Sequence, residues 1–253
     1  MSDTARYVYA VSRGLEGAVL EGLTGLRGAP VELVSHAGLE AVTSDVPLPE
    51  FSEDGLREHL EELPWLEEVA RTHDEVVRAV TAHAPTAPMR LATIFHDDEA
   101  VRRRVQEWRE GLVEVLDRID GRAEWSVKVL APPAPAPETT PGGGPTTGTE
   151  FLRRRKAQAS DRAEQQEAAS RVADAVHHEL ATIAEAARLL PPQDPQLTGH
   201  VGQMVLNAAY LVPDTARDLF AERVDALRGR HHDVTLEAGG PWPPYSFAVL
   251  EES

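Results

Sequence analysis

The stretch APPAPAPETTPGGGP, residues 131–145, divides this chain of 253 residues in two. Alternating proline and alanine favour an extended polyproline II backbone, and the three glycines that follow add flexibility. Such a segment cannot bury a hydrophobic core, and the chain is long enough for two domains. We therefore predict a domain at residues 1–131, a Pro/Ala/Gly-rich linker at residues 132–149 and a second domain at residues 150–253.

The first domain is predicted to contain several short strands and two helical regions. Runs rich in β-branched, aromatic and aliphatic residues indicate the strands, two of which form a hairpin around Gly38. The strands are residues 7–11, 31–36, 39–43, 89–95 and 124–130. One helical region, residues 56–83, is expected to break near Pro64, and a single helix is expected over residues 101–119, capped by Asp97 or Asp98. This order predicts an antiparallel sheet with helices on one face, close to a ferredoxin-like plan.

The second domain is predicted to open with one long helix over residues 151–190. Its apolar stripe follows helical spacing and consists of Val172, Val176, Leu180, Ile183, Ala187 and Leu190. A strand within residues 199–212 comes next, followed by a helix from Asp214 that turns Phe220, Val224 and Leu227 inward. Residues 234–236 and 245–250 are expected to be closing strands. The fold class is therefore α+β, with a long helix in the second domain.

Composition narrows the possible functions. The net charge of -17 argues against nucleic acid and against anionic membranes as partners, because both attract Lys and Arg. The absence of cysteine excludes thiol nucleophiles and cysteine-bound metals. No secretory signal opens the sequence, and no apolar stretch is as long as a membrane span. We expect a cytoplasmic protein that does not insert into membranes.

No arrangement of residues predicts a catalytic, metal or cofactor site. Gly143 and Gly148 have the spacing of a phosphate loop, but Thr149 stands where that loop needs lysine. The pairs His177-His178 and His231-His232 are adjacent in sequence, and adjacent residues on a helix point in different directions. His73-Asp74-Glu75 has no nucleophile motif beside it. We expect a protein that is not an enzyme and needs no cofactor.

Two basic runs lie on predicted helices of this acidic chain. They are Arg102-Arg103-Arg104 and Arg153-Arg154-Arg155-Lys156. Each run has two interpretations: a solvated helix face with intramolecular ion pairs, or a docking patch for an acidic partner. Arg153, Arg154 and Arg155 are therefore candidate partner-binding or structural residues.

The most unusual local sequence is GGPWPPYSF, residues 239–247. Its prolines fix the backbone, while its aromatic residues offer large apolar surfaces. Such a turn either locks the C-terminal strand onto the second domain or forms a protein-binding platform, and the sequence favours the lock. The candidate residues are Pro241, Trp242, Pro243, Pro244 and Tyr245.

Seven segments together resemble one protein family. In chain order they are YVYAV (7–11), HDEVV (73–77), PMRLATIF (88–95), EWSVK (124–128), FLRRR (151–155) with NAAYLV (207–212), and GPWPPYSF (240–247). The combination is similar to the gas vesicle accessory proteins of the GvpF/GvpL type over nearly the whole chain. Met89, Leu91, Ala92 and Ser126 depart from the usual pattern of that family.

The resemblance implies a fold and a role that periodicity cannot supply. It implies a ferredoxin-like N-terminal domain, a C-terminal α+β domain and no catalytic activity. It also implies a part in building gas vesicles, through binding of the hydrophobic shell protein and other vesicle proteins and through assistance in nucleation. The F-type and the L-type remain open. The alternative is a dimeric ferredoxin-like barrel that holds haem or a small ligand, with His36 or His96 as the ligating residue.

Overall fold

The computed structural model describes residues 4–133, 148–193 and 202–249. The chain forms two compact units, one of residues 1–124 with 241–253 and one of residues 125–240. This division differs from the predicted domain boundaries, because the chain returns to the first unit after Gly240. Most of the predicted linker lies outside the described residues, and its last two residues, Gly148 and Thr149, begin a helix.

The sheet of the first unit has the strand order of a ferredoxin-like fold. Its strands are β1 (Thr4–Ser12), β2 (Glu32–His36), β3 (Leu39–Pro47), β4 (Thr86–Pro88) and β5 (Ile94–Phe95). The order is β2-β3-β1-β4, with β5 also paired to β1, and every one of these pairs is antiparallel. The predicted hairpin is confirmed. Its turn needs two residues with positive φ, which Ala37 (52°) and Gly38 (79°) supply.

Five helices accompany this sheet: α1 (Leu48–Phe51), α2 (Glu53–His59), α3 (Leu63–Thr81), α4 (Asp98–Glu107) and α5 (Arg109–Ile119). Tyr7 and Tyr9 of β1 pack with α3 in one core. Val8 and Val11 are also buried, although Val8 points to the opposite face from Tyr7. Both faces of the sheet are therefore covered, and the prediction of helices on one face is wrong.

The predicted break near Pro64 is confirmed, since α2 ends at His59 and α3 starts at Leu63. Asp97 caps α4 as predicted, through a bond from the Ala100 amide to its carboxylate. The prediction of one helix over residues 101–119 is wrong. Trp108 leaves helical geometry at φ -89°, ψ 1° and stays partly exposed, with the Arg104 guanidinium 5.0 Å from its ring centroid.

A strand over residues 89–95 is also a wrong prediction, because only Ile94 and Phe95 of that run are in a strand. Ala92 adopts a positive φ of 61°, which interrupts the extended backbone. Its amide donates to the Tyr7 hydroxyl at 3.1 Å. A side chain of β1 thus takes the hydrogen bond that a continuous strand would have given to a neighbouring backbone.

The second unit is an α+β arrangement around a four-stranded sheet. Its elements are β6 (Arg122–Leu130), α6 (Gly148–Ala181), β7 (Ala186–Leu189), β8 (Met204–Pro213), α7 (Arg217–Arg230) and β9 (Thr235–Trp242). The strand order is β7-β8-β6-β9. Tyr210 of β8 packs in the core with Val176 and Leu180 of α6 and with Phe220 of α7. The inward face predicted for α7 is confirmed.

Two predictions for the second half need correction. Strand β6 was assigned to the first domain but hydrogen-bonds in the second sheet. The long helix was extended to residue 190 but ends at Ala181, where the amides of Ile183 and Ala184 turn back to the Leu180 carbonyl. Ala187 therefore lies on β7 rather than on the helix stripe, and the helical periodicity of that stretch is accidental.

Candidate functional site

The C-terminal segment, residues 241–249, folds with the first unit. Strand β9 ends at Trp242, and the backbone after it forms turns rather than the strand predicted at 245–250. The amide of Tyr245 donates to the Pro243 carbonyl at 2.8 Å, and the amide of Phe247 donates to the Pro244 carbonyl at 3.1 Å. Pro243, Pro244 and Phe247 are all buried. The apolar side of this segment therefore anchors it.

A polar contact from the end of the first unit completes the anchor. The carboxylate of Glu124 accepts hydrogen bonds from the amide and the hydroxyl of Ser246, both at 2.7 Å. Arg118 of α5 donates to the Phe247 carbonyl at 2.7 Å. Glu124 is buried. The two hydrogen bonds to its carboxylate therefore stabilise the segment more than the same bonds would in water.

Two aromatic side chains of the segment stay partly in solvent. Trp242 is 38% exposed and Tyr245 is 36% exposed. The guanidinium of Arg78 on α3 lies 4.3 Å from the centroid of the Trp242 ring, a cation–π contact. One helical turn earlier, Asp74 pairs with Arg78 and accepts a long hydrogen bond, 3.4 Å, from the Tyr245 hydroxyl. Helix α3 therefore positions both exposed rings.

A buried polar cluster lies beneath these rings. His73 is 3% exposed, and its ring centroid is 6.3 Å from that of Tyr245. Its Nδ1 is hydrogen-bonded to the Tyr7 hydroxyl at 3.0 Å, and the same hydroxyl accepts from the Ala92 amide. Burial lowers the pKa of His73 to about 4, against the opposing effect of Asp74. The imidazole is therefore neutral at pH 7.

The preferred role for Trp242 needs correction. A lock onto the second domain was predicted, yet the segment belongs to the first unit. The anchoring groups are Pro243, Pro244 and Phe247, while Trp242 keeps more than a third of its surface in solvent. One side of the segment is buried, and its other side exposes aromatic surface.

The two basic runs both lie on helices. Arg102 pairs with Asp98 and Glu99, and Arg104 pairs with Glu107, so the first run has the intramolecular ion pairs of a solvated helix face. In the second run Arg153 and Arg155 are exposed on α6, while the side chain of Arg154 lies outside the described set.

The candidate histidines of the described residues are not grouped as metal ligands. Within residues 4–133, 148–193 and 202–249, no three His, Asp or Glu side chains come together as ligands. His177 bonds instead to the Tyr210 hydroxyl at 2.9 Å, and His178 is exposed. Of the two candidates for a haem-type ligand, His36 bonds to Gln106 at 3.0 Å and His96 is exposed. Across the same ranges, no helix has the length and apolarity that a bilayer crossing requires.

The sequence model of the gas vesicle synthesis protein GvpL/GvpF family matches residues 5–249. The chain belongs to this family. Gas vesicle protein L of Streptomyces sp. (strain CB03234) is 40% identical over 255 residues, covering 99% of this chain and 95% of that protein. Gas vesicle protein F of the same strain is 28% identical, covering 95% of this chain and 98% of that protein.

Crystal structures support the fold of this GvpL/GvpF family member. That of the gas vesicle protein GvpF from Anabaena sp. PCC7120 superposes with a TM-score of 0.71 at 18% identity, covering 98% of both chains. That of GvpF from Microcystis aeruginosa superposes with a TM-score of 0.68 at 17% identity, covering 97% of this chain and 99% of that one. The predicted two-domain α+β class is therefore confirmed.

Sequence reasoning missed the partners of the C-terminal segment. Glu124 was read only as part of the EWSVK strand, and Asp74 only as a neighbour of His73. Neither residue carries a local signal of its role, because each acts on residues more than a hundred positions away along the chain. Only the return of the chain to the first unit brings them together.

Proposed function

We propose that this protein is an accessory protein of gas vesicle assembly that binds the hydrophobic shell protein and other vesicle proteins, assists nucleation of the vesicle and catalyses no reaction. Its membership of the GvpL/GvpF family supports the setting. The observation that carries the binding role is the pair Trp242 and Tyr245, half-exposed on a segment whose other side is buried. The higher identity to protein L than to protein F of one Streptomyces strain supports an L-type role.

The physical case rests on preorganisation. Aromatic side chains give large contact area for little lost conformational freedom, and a fixed backbone lowers the entropy lost on binding. Here Arg78 of α3 contacts the Trp242 ring, and Asp74 of α3 accepts a hydrogen bond from the Tyr245 hydroxyl. Glu124 fixes the backbone of the segment by accepting from the Ser246 amide. A hydrophobic partner would therefore meet an aromatic surface that is already in place.

A pull-down of the full chain with the shell protein tests this proposal. Trp242→Ala combined with Tyr245→Ala is expected to weaken capture at least tenfold, because aromatic anchors commonly dominate interface energies. Leu219→Ala is the matched control, since Leu219 is also an exposed apolar residue, 49% exposed, on α7. Capture that falls equally for the control, or that survives the double substitution, would refute binding through this surface.

A further inference from the structure

The first half of α6 makes no contribution to the core of its unit. Among residues 149–168, no side chain that the structure describes is buried, and the first buried position is Ala169. At 1.5 Å per residue these twenty residues span about 30 Å of helix. A helix that is polar on all sides is stabilised by ion pairs between its own turns or by bridging other parts of a structure. The described side chains of this half of α6 present polar and charged surface to solvent.

The start of this helix carries a cluster of one charge sign around an exposed apolar residue. We call it the basic patch, and it consists of Leu152, Arg153, Arg155 and Lys156. Leu152 is 66% exposed. The N-terminal end of a helix favours acidic rather than basic side chains, so the helix dipole does not account for this placement. In a chain of net charge -17 the cluster is also opposite in sign to its surroundings.

The corner between α2 and α3 has the complementary character. Residues 53–68 include seven acidic residues and one arginine, Arg57. Leu60 is 45% exposed and Leu63 is 76% exposed, in the middle of this run. The acidic patch is defined as Leu60, Glu61, Glu62, Leu63 and Glu67, all of them exposed. Both patches thus place exposed leucine among charges, with opposite signs.

We propose that the basic patch of one copy binds the acidic patch of a second copy of this chain. Contact would bury the exposed leucines of both patches and bring opposite charges together, and each of these changes favours association. The two patches are different surfaces, so copies joined by single contacts form rings or open chains, while two copies that exchange both contacts form a two-fold dimer. The overall acidity argues against nucleic acid as the partner of the basic patch. This inference does not depend on the shell-binding proposal.

Salt dependence of the mass of the full chain tests the contact. A single copy has a mass of 27.6 kDa. Sedimentation is expected to show species heavier than one copy at ~50 mM NaCl and a shift towards one copy at ~500 mM, because salt screens exposed charges. A constant mass of one copy at low salt, at the highest concentration that stays soluble, would overturn the proposal. So would association that does not respond to salt.

Glutamine substitutions in each patch test the contact more directly. A basic-patch variant replaces its three cations, and an acidic-patch variant replaces its three glutamates. Each variant alone is expected to remain a single copy, because it lacks one of the two patches. An equal mixture is expected to give a dimer and no larger species, because each pair of variants holds only one intact patch of each type. Each variant has a control with the same charge change at exposed residues elsewhere. The control for the acidic-patch variant replaces Glu16, Glu21 and Glu110, and the control for the basic-patch variant replaces Arg71, Arg90 and Arg103.

The controls are expected to associate like the unmodified chain. Association of both patch variants at the unmodified level would overturn the proposal, as would a mixture that stays at the mass of one copy. A short duplex DNA probe covers the competing ligand. If the unmodified chain binds this probe and the basic-patch variant does not, the patch binds nucleic acid and the proposal is overturned as well.

Discussion

Replacing Phe247 by alanine removes the main apolar anchor of the C-terminal segment. The side chain is 5% exposed, and truncation of a buried phenylalanine commonly costs about 3–5 kcal/mol. We expect the lower end, about 3 kcal/mol, because the neighbouring Tyr245 and Val249 are partly exposed and can relax around the lost ring. For a protein of this size that loss corresponds to a fall in melting temperature of roughly 6–12 °C. Thermal and urea denaturation of the full chain measure it.

Trp242→Ala is the matched comparison on the same segment. Trp242 is 38% exposed, and its cation–π contact with Arg78 is worth about 0.5–1 kcal/mol at an exposed site. With its partly buried area included, we expect a loss of about 1–2 kcal/mol. A loss for Trp242→Ala that equals or exceeds that for Phe247→Ala would show that the tryptophan, not the phenylalanine, is the anchor. The separation of anchoring from presenting residues would then be wrong.

Three further predictions concern the first unit. The pKa of His73 is about 4 in the folded chain and 6.5 without burial. The free energy of unfolding therefore has its full value above pH 6.5 and falls by about 3 kcal/mol in all as the pH falls through 4, because the unfolded chain binds the proton first. Urea midpoints between pH 7 and 4 should show this loss, and His73→Gln should reduce it. Gly25→Ala should destabilise by about 1–3 kcal/mol, because the added Cβ would meet the Tyr9 hydroxyl. Glu124→Gln should cost about 1–3 kcal/mol, because the two bonds from Ser246 go to different carboxylate oxygens and the NH2 group that replaces one of them cannot accept. A urea titration checks both substitutions.

Local patterns predicted the individual elements well. The hairpin at Gly38, the break before Pro64, the Asp97 cap and the inward face of α7 all follow from chemistry within a few residues. Errors arose where a distant partner decides the backbone. Ala92 turns because its amide binds the Tyr7 hydroxyl, and the long helix ends early because Glu185 begins pairing with β8.

The assignment of elements to units was beyond the reach of local patterns. The alternation of EWSVKVL predicts a half-buried strand, and β6 is one, but alternation does not say which sheet it joins. The C-terminal aromatic segment posed the same difficulty. Its prolines and aromatic residues predicted a fixed turn, while its attachment to α3, α5 and Glu124 depends on the path of the chain between the units.

Gas vesicle yield in cells tests the central claim most directly. Cells that carry a complete set of vesicle genes, with and without the gene for this chain, are compared by light scattering before and after pressure collapse. We predict that vesicles disappear without the chain, return with the unmodified chain and with Leu219→Ala, and stay strongly reduced with Trp242→Ala and Tyr245→Ala combined. Normal vesicle yield in the absence of the chain would contradict its role in assembly. Full rescue by the double variant would contradict the role of the aromatic surface.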